Sequence, residues 1–234
     1  MAKKYMRENS TKIFLLLVLL TTIFATCPVK NKKKIIFFGD SITELGVKPK
    51  GFIKVLEEKL AHKKVLQNYT LIGAGKSANK VYDLYLRMEE DVIAKKPDIV
   101  VIWIGVNDVW HKQSAGTGTD ADKFERFYHA LIKRFKEKKI TAYLCTPAVI
   151  GEKQNGANEL DKELDKYSDI IRRVAEKNNC QLIDLRQAFK NYIKLHNKEN
   201  AKQGILTYDG VHLNDAGNRL VADVINKKLN LTFE

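Results

Sequence analysis

Three cysteines, four prolines and two tryptophans are spread through 234 residues, and each scarcity closes a door. Three cysteines cannot build a disulfide framework, so the fold has to be held by its core. Cys145 ends one predicted strand and Cys180 begins another, which places them at opposite ends of a parallel sheet, too far apart to bridge. Both read as small buried hydrophobes. There is no internal repeat, and no low-complexity stretch beyond the N-terminus. No basic motif interleaved with aromatics is present either, which removes the usual footprint of a nucleic-acid partner. The formal charge of +13 does not restore one. The first 34 residues, with eight Lys or Arg against Glu8, carry +7 of it, and the remaining lysines are mixed with acids on helix faces.

Long hydrophobic runs are also scarce, and the longest lies at the very start. A basic head (Lys3, Lys4, Arg7, Lys12) precedes an uncharged, mostly apolar run from Ile13 to Ala25, then Cys27, Pro28 and a cluster at Lys30, Lys32, Lys33 and Lys34. This is the pattern of an export signal, and the run is shorter than the roughly 20 residues of an ordinary spanning helix. Residues 1–34 are therefore expected to be a signal peptide or a membrane or lipid anchor with a basic linker. Ala25-Thr26-Cys27 also reads as a lipoprotein cleavage site, although Phe24 and Thr26 are atypical there. Cleaved and secreted, lipid-anchored through Cys27, and retained as an anchor all stay open, each implying a periplasmic or cell-envelope protein.

Residues 35–234 form one domain, with 44% hydrophobic residues in the whole chain to supply its core. Apolar runs at Lys34–Phe38, Val65–Ile72, Asp98–Ile104, Ile140–Cys145 and Gln181–Leu185 predict five strands. Helical spacing predicts helices over 51–62, 79–94, 124–135, 159–177, 186–195 and 214–229, while 112–119 and 151–158 read as polar loops. Strands alternating with helices predict a three-layer α/β/α sandwich around a five-stranded parallel sheet.

The chemistry gathers where strands end. Gly39-Asp40-Ser41 closes the first strand in a tight turn that presents a hydroxyl, the Gly73 to Asn79 segment follows the second, and Asn107 follows the third. Asp209 and His212 then share one loop. A spacing of three lets the carboxylate hold the imidazole Nδ1 proton and leaves Nε2 to accept one from a serine, the assistance an alcohol nucleophile needs at neutral pH. Asp40 and Asp108 read as braces of their turns. Trp110 and His111 either line the cleft or pack the loop.

Four blocks, Gly39-Asp40-Ser41-Ile42, the segment around Gly75, Gly105-Val106-Asn107-Asp108 and Asp209-Gly210-Val211-His212, resemble in order those of the SGNH hydrolase superfamily, the GDSL lipases and esterases. The resemblance covers the chain from Ile35 onward. It implies a flavodoxin-like fold and a serine esterase working through an acyl-enzyme without metal or cofactor. It also implies Ser41 as nucleophile, His212 with Asp209 as base, and an oxyanion hole of the Ser41 amide, a second-block amide and the Asn107 side chain. The second block departs from the pattern: the family's glycine falls on Ala78, whose amide is the expected donor, with Gly73 and Gly75 as alternatives. Polar loops at 112–119 and 151–158 favour small acyl groups such as acetate over long-chain lipid; a small-molecule or carbohydrate ester is the expected substrate, with acetylated carbohydrate or polymer and short-chain or lysophospholipid esters all left open by the blocks. Two other readings compete: a noncatalytic binding module of the same fold, and a metal-dependent phosphoesterase with Asp40, Asn107, Asp209 and His212 as ligands.

Overall fold

The computed structural model describes residues 31–231, so the expected export signal, its cleavage site and Cys27 lie outside the described residues. The chain divides into two units, Met1–Asn31 and Lys32–Glu234, and the second contains the sheet. Five strands run parallel: β1 (Lys33–Gly39), β2 (Tyr69–Gly75), β3 (Ile99–Trp103), β4 (Thr141–Cys145) and β5 (Gln181–Ile183), in the order β2-β1-β3-β4-β5. Eight α-helices are described: α1 (Ser41–Leu45), α2 (Phe52–His62), α3 (Val81–Asp91), α4 (Val106–Ser114), α5 (Ala121–Glu137), α6 (Asp161–Lys177), α7 (Leu185–His196) and α8 (Asp215–Leu229).

The predicted three layers follow from the pleat of the strands. Successive side chains leave a strand on opposite faces, so Ile35 and Phe37 enter one core while Ile36 and Phe38 enter the other. The first core is closed by Phe52, Leu56 and Leu60 of α2, Phe189 of α7, and Val221 and Ile225 of α8. The second is closed by Leu84 of α3, Phe124 and Leu131 of α5, and Leu164 and Ile171 of α6. Both faces of β1 are thus buried, which is why its sequence is continuously apolar instead of alternating.

The structure corrects several boundaries. β1 starts at Lys33, because the Lys34 amide donates to the Asp98 carboxylate at 2.7 Å and draws the end of the basic linker into the sheet. β2 runs from Tyr69 to Gly75 instead of 65–72. The buried Val65 belongs to the end of α2, its amide bonded to the Leu60 carbonyl, and a 3₁₀ turn at Leu66–Asn68 intervenes. β5 stops at Ile183 because Asp184 caps α7, its carboxylate accepting the Gln187 amide. α4 replaces part of the expected 112–119 loop, and Ser41 opens the short helix α1 instead of sitting in a bare turn. Cys145 is buried at the end of β4, and Cys180, half-buried, precedes β5 at the opposite end of the sheet; both are free thiols.

Candidate active site

The carboxyl ends of β1, β2 and β3 finish level, with Gly39 paired to Gly75 on one side and Trp103 on the other. Gly39 is required by crowding: a Cβ there would lie 2.3 Å from the Trp103 carbonyl oxygen and from the Thr43 hydroxyl. The chain can then turn at once into α1, whose N-cap is Asp40, the carboxylate accepting the Ile42 amide at 3.0 Å. Ser41 is the first residue of that helix, half-buried at the lip of the sheet.

His212 arrives from the other end of the chain. Its Nε2 lies 2.9 Å from Ser41 Oγ across 171 positions of sequence, and its Nδ1 lies 2.7 Å from Asp209 Oδ2. The other Asp209 oxygen accepts the backbone amides of Val211 (2.9 Å) and His212 (2.7 Å). Burial works to raise the Asp209 carboxyl, but the hydrogen bonds from the His212 ring and amide and from the Val211 amide outweigh it and hold it below the usual carboxylate range. An ionised Asp209 can only accept, so the imidazole proton sits on Nδ1 and Nε2 accepts from the serine hydroxyl. The ring of Tyr208 stacks on His212 at 5.8 Å, 15° from parallel.

Asn107 sits in the first turn of α4, 4% exposed, its Nδ2 donating to the Asn79 carbonyl at 3.1 Å. That bond ties it to the turn holding Ala78. Gly73 and Gly75 lie within β2, whereas Ala78 lies in the turn that follows it. Ala78 adopts φ +62°, the left-handed region that a Cβ penalises by about 1–2 kcal/mol, and its N–H donates to no group among the described residues. Asp40 braces its own turn as expected, whereas Asp108 reaches across to another element, its Oδ1 accepting the Val81 amide at the start of α3 at 3.1 Å. Burial pushes each of these two carboxyls up to about 7.

Two positioning groups carry no sequence signal. Arg87 of α3 donates to the Gly39 carbonyl (2.7 Å), the Ala74 carbonyl (3.0 Å) and the Asn79 side chain (2.7 Å), lashing together the ends of β1 and β2. Glu152, fully buried, does the same for the histidine. One of its oxygens accepts the Ile205 amide, and the other accepts the Leu206 and Thr207 amides, all at 2.7 Å, and the Thr207 hydroxyl at 2.9 Å. Thr207 Oγ1 in turn accepts the Gly210 amide, and the Gly151 amide donates to the Gly210 carbonyl at 2.7 Å. Nothing about a lone glutamate in a polar loop announces that its partners are backbone amides 53 to 55 residues away.

The alternative metal-ligand set does not converge. Both oxygens of Asp209 are engaged by its own loop and Asp40 is turned into its helix cap; among the described residues no group of three or more His, Cys, Asp or Glu side chains could hold a metal ion.

A parallel α/β sandwich with a hydrogen-bonded serine, histidine and aspartate at the carboxyl edge of its sheet is the frame of an ester hydrolase. Residues 37–220 match the GDSL-like lipase/acylhydrolase family, and the chain belongs to that family; it is a carboxylic ester hydrolase. It is 29% identical over 209 residues to an acetylxylan esterase of Geobacillus stearothermophilus, covering 83% of this chain and 92% of that protein. It is 24% identical over 245 residues to the uncharacterized lipoprotein YqeF of Bacillus subtilis (strain 168), covering 92% of this chain and 96% of the relative. Among solved structures, the acetyl xylan esterase AlAXEase superimposes with a TM-score of 0.82 at 57% identity, covering 83% of this chain and 98% of that one.

Proposed function

We propose that this esterase removes short acyl groups, acetyl first among them, from carbohydrate esters outside the cytoplasm, with Ser41 as nucleophile and His212, oriented by Asp209, as general base. The observation that carries the roles is the unbroken line of hydrogen bonds from the Ser41 hydroxyl through both imidazole nitrogens to the Asp209 carboxylate. Ser41 Oγ attacks the ester carbonyl while its proton passes to Nε2, and the carbonyl oxygen becomes an oxyanion. The amides of Ser41 and Ala78 and the second N–H of Asn107 Nδ2 surround that oxygen. Collapse breaks the bond to the sugar oxygen, which takes the proton from His212 and departs as the alcohol. Water, deprotonated by His212, then releases acetate and restores the serine.

The carbohydrate side of the proposal is supported by the acetylxylan esterases that the chain resembles, one at 57% identity. Structures of the Geobacillus enzyme include catalytic mutants with a serine or a histidine replaced by alanine, as expected if the same pair works here. Ser41→Ala should lower kcat on p-nitrophenyl acetate by ~10⁴-fold or more and abolish labelling by a serine-directed phosphonate. Retained labelling with full turnover would refute the nucleophile. In an acyl series, acetyl esters of sugars should be cleaved in preference to long-chain p-nitrophenyl esters.

Export rests on the basic head, the apolar run and Cys27, together with the lipoprotein among the relatives. The mass of the chain recovered from cells distinguishes the forms: cleavage before Cys27 with an added lipid, or simple cleavage, supports it. An intact chain confined to the cytoplasm overturns it.

A further inference from the structure

We infer that the cavity beside α4 is a saccharide subsite, which binds the sugar flanking the ester and positions it through Trp110; this rests on the carbohydrate-esterase reading above. The cavity, about 540 Å³, lies between the outer half of α4 and the loop before α6, with Trp110, Gln113 and Ser114 on one wall, Lys153 and Asn158 on the other, and Lys202 at its edge. Both walls are continuous with the catalytic residues. Trp110 follows Asn107 by one turn of α4, so the two share a helix face. The facing loop is bonded to the histidine segment at two points, Gly151 N to Gly210 O at 2.7 Å and Glu152 N to Lys202 O at 2.8 Å. Trp110 and Ile150 also pack on the core cluster that contains Val211 and Leu213, the neighbours of His212.

The lining selects the ligand class. Trp110 is half-buried and, with Ile150 and Leu160, gives the cavity an apolar wall, while the Gln113 amide, held by the Glu159 carboxylate, and the Lys153 and Lys202 ammonium groups line its rim. A pyranose matches that arrangement, since its C–H face packs on an indole and its hydroxyls satisfy donors and acceptors around the rim. The exposed Lys153 and Lys202 ammonium groups can donate to the hydroxyl and ring oxygens of such a ligand.

The chain contains two tryptophans, and Trp103 is buried at 4% exposure, so a ligand-dependent change in indole fluorescence reports Trp110. Titration of the full chain with unacetylated xylo-oligosaccharide should give a saturable change that is absent in Trp110→Phe and weakened at least threefold in Gln113→Ala. In kinetics, Trp110→Ala should lower kcat/KM on acetylated xylo-oligosaccharide at least tenfold more than on p-nitrophenyl acetate, with the loss in KM. Equal losses on the two substrates, or no fluorescence response to the oligosaccharide while the wild-type enzyme still deacetylates it, would overturn the subsite. Failure of the enzyme to deacetylate any saccharide, with p-nitrophenyl acetate still cleaved, would overturn the carbohydrate reading itself; a fluorescence response would then leave the cavity as a saccharide site without its chemistry.

Discussion

Ser41 is delivered by regular structure: a buried strand, a glycine that permits the sharpest exit, and a helix begun one residue later under its own cap. His212 is delivered by a segment between α7 and α8 whose regular pairing, among the described residues, is the single bridge Thr207 to Leu213. Its order comes instead from one buried carboxylate, Glu152, that gathers three amides and a hydroxyl. Strand ends are placed by the sheet and need only local sequence to be right. A loop has to be fixed from outside, and here the fixing group sits on the loop that also walls the cavity. The two halves of one hydrogen bond therefore have different vulnerabilities.

The largest expected effect separates them directly. Glu152→Ala leaves the Ile205, Leu206 and Thr207 amides without acceptors, at ~1–3 kcal/mol each for such groups, so the total loss of stability should be about 3–9 kcal/mol. Urea unfolding measures it, and kcat should fall with it because His212 is no longer held. A variant as stable and active as the parent would erase the contrast. Next comes Asn107→Ala, which removes a donor carried on regular structure: kcat should drop ~10²–10³-fold, while the hydrogen bond to Asn79 is worth only ~1 kcal/mol of stability. Equal damage to folding and turnover would put Asn107 in the same category as Glu152.

A smaller effect appears as a pH dependence. Asp40 and Asp108 are pushed up to about 7 by burial, so between about 4 and 7 the folded state holds protons that the unfolded chain releases. Their contribution is complete below the unfolded carboxylate range and is lost as pH rises through about 7. Asp209, held low, contributes in the opposite sense: its stabilisation is present near neutrality and is lost on acidification through its folded value. Asp108→Asn keeps an acceptor for the Val81 amide and removes one titrating group, so the fall in stability between pH 4.5 and 7.5 should flatten. An unchanged slope would assign the dependence elsewhere.

What the sequence shows follows the same division. β1 and β3 announce themselves because burial on both faces demands a continuous apolar run, and Ser41, Asn107 and His212 stand in short blocks next to them or in their own loop. α4 stays hidden because it starts directly after Gly105, at φ +130°, and its residues Lys112, Gln113 and Ser114 look like the start of the polar loop. Val65 misleads for a different reason: a residue buried to close a helix carries the same apolar signature as one buried in a strand. Glu152 and Arg87 are illegible because their partners are main-chain groups, and a backbone amide or carbonyl is the same whatever residue bears it.

The 171 positions between Ser41 and His212 make turnover a gauge of tertiary order. With Ser41 and His212 in the roles proposed for them, nucleophile and base meet only when the ends of the sheet are assembled and the 197–214 segment is clamped beside them. Heating that frees the clamp ahead of the sheet would silence the enzyme while its circular dichroism still looked native, so a loss of turnover at a lower temperature than the loss of ellipticity is the signature expected of this clamp.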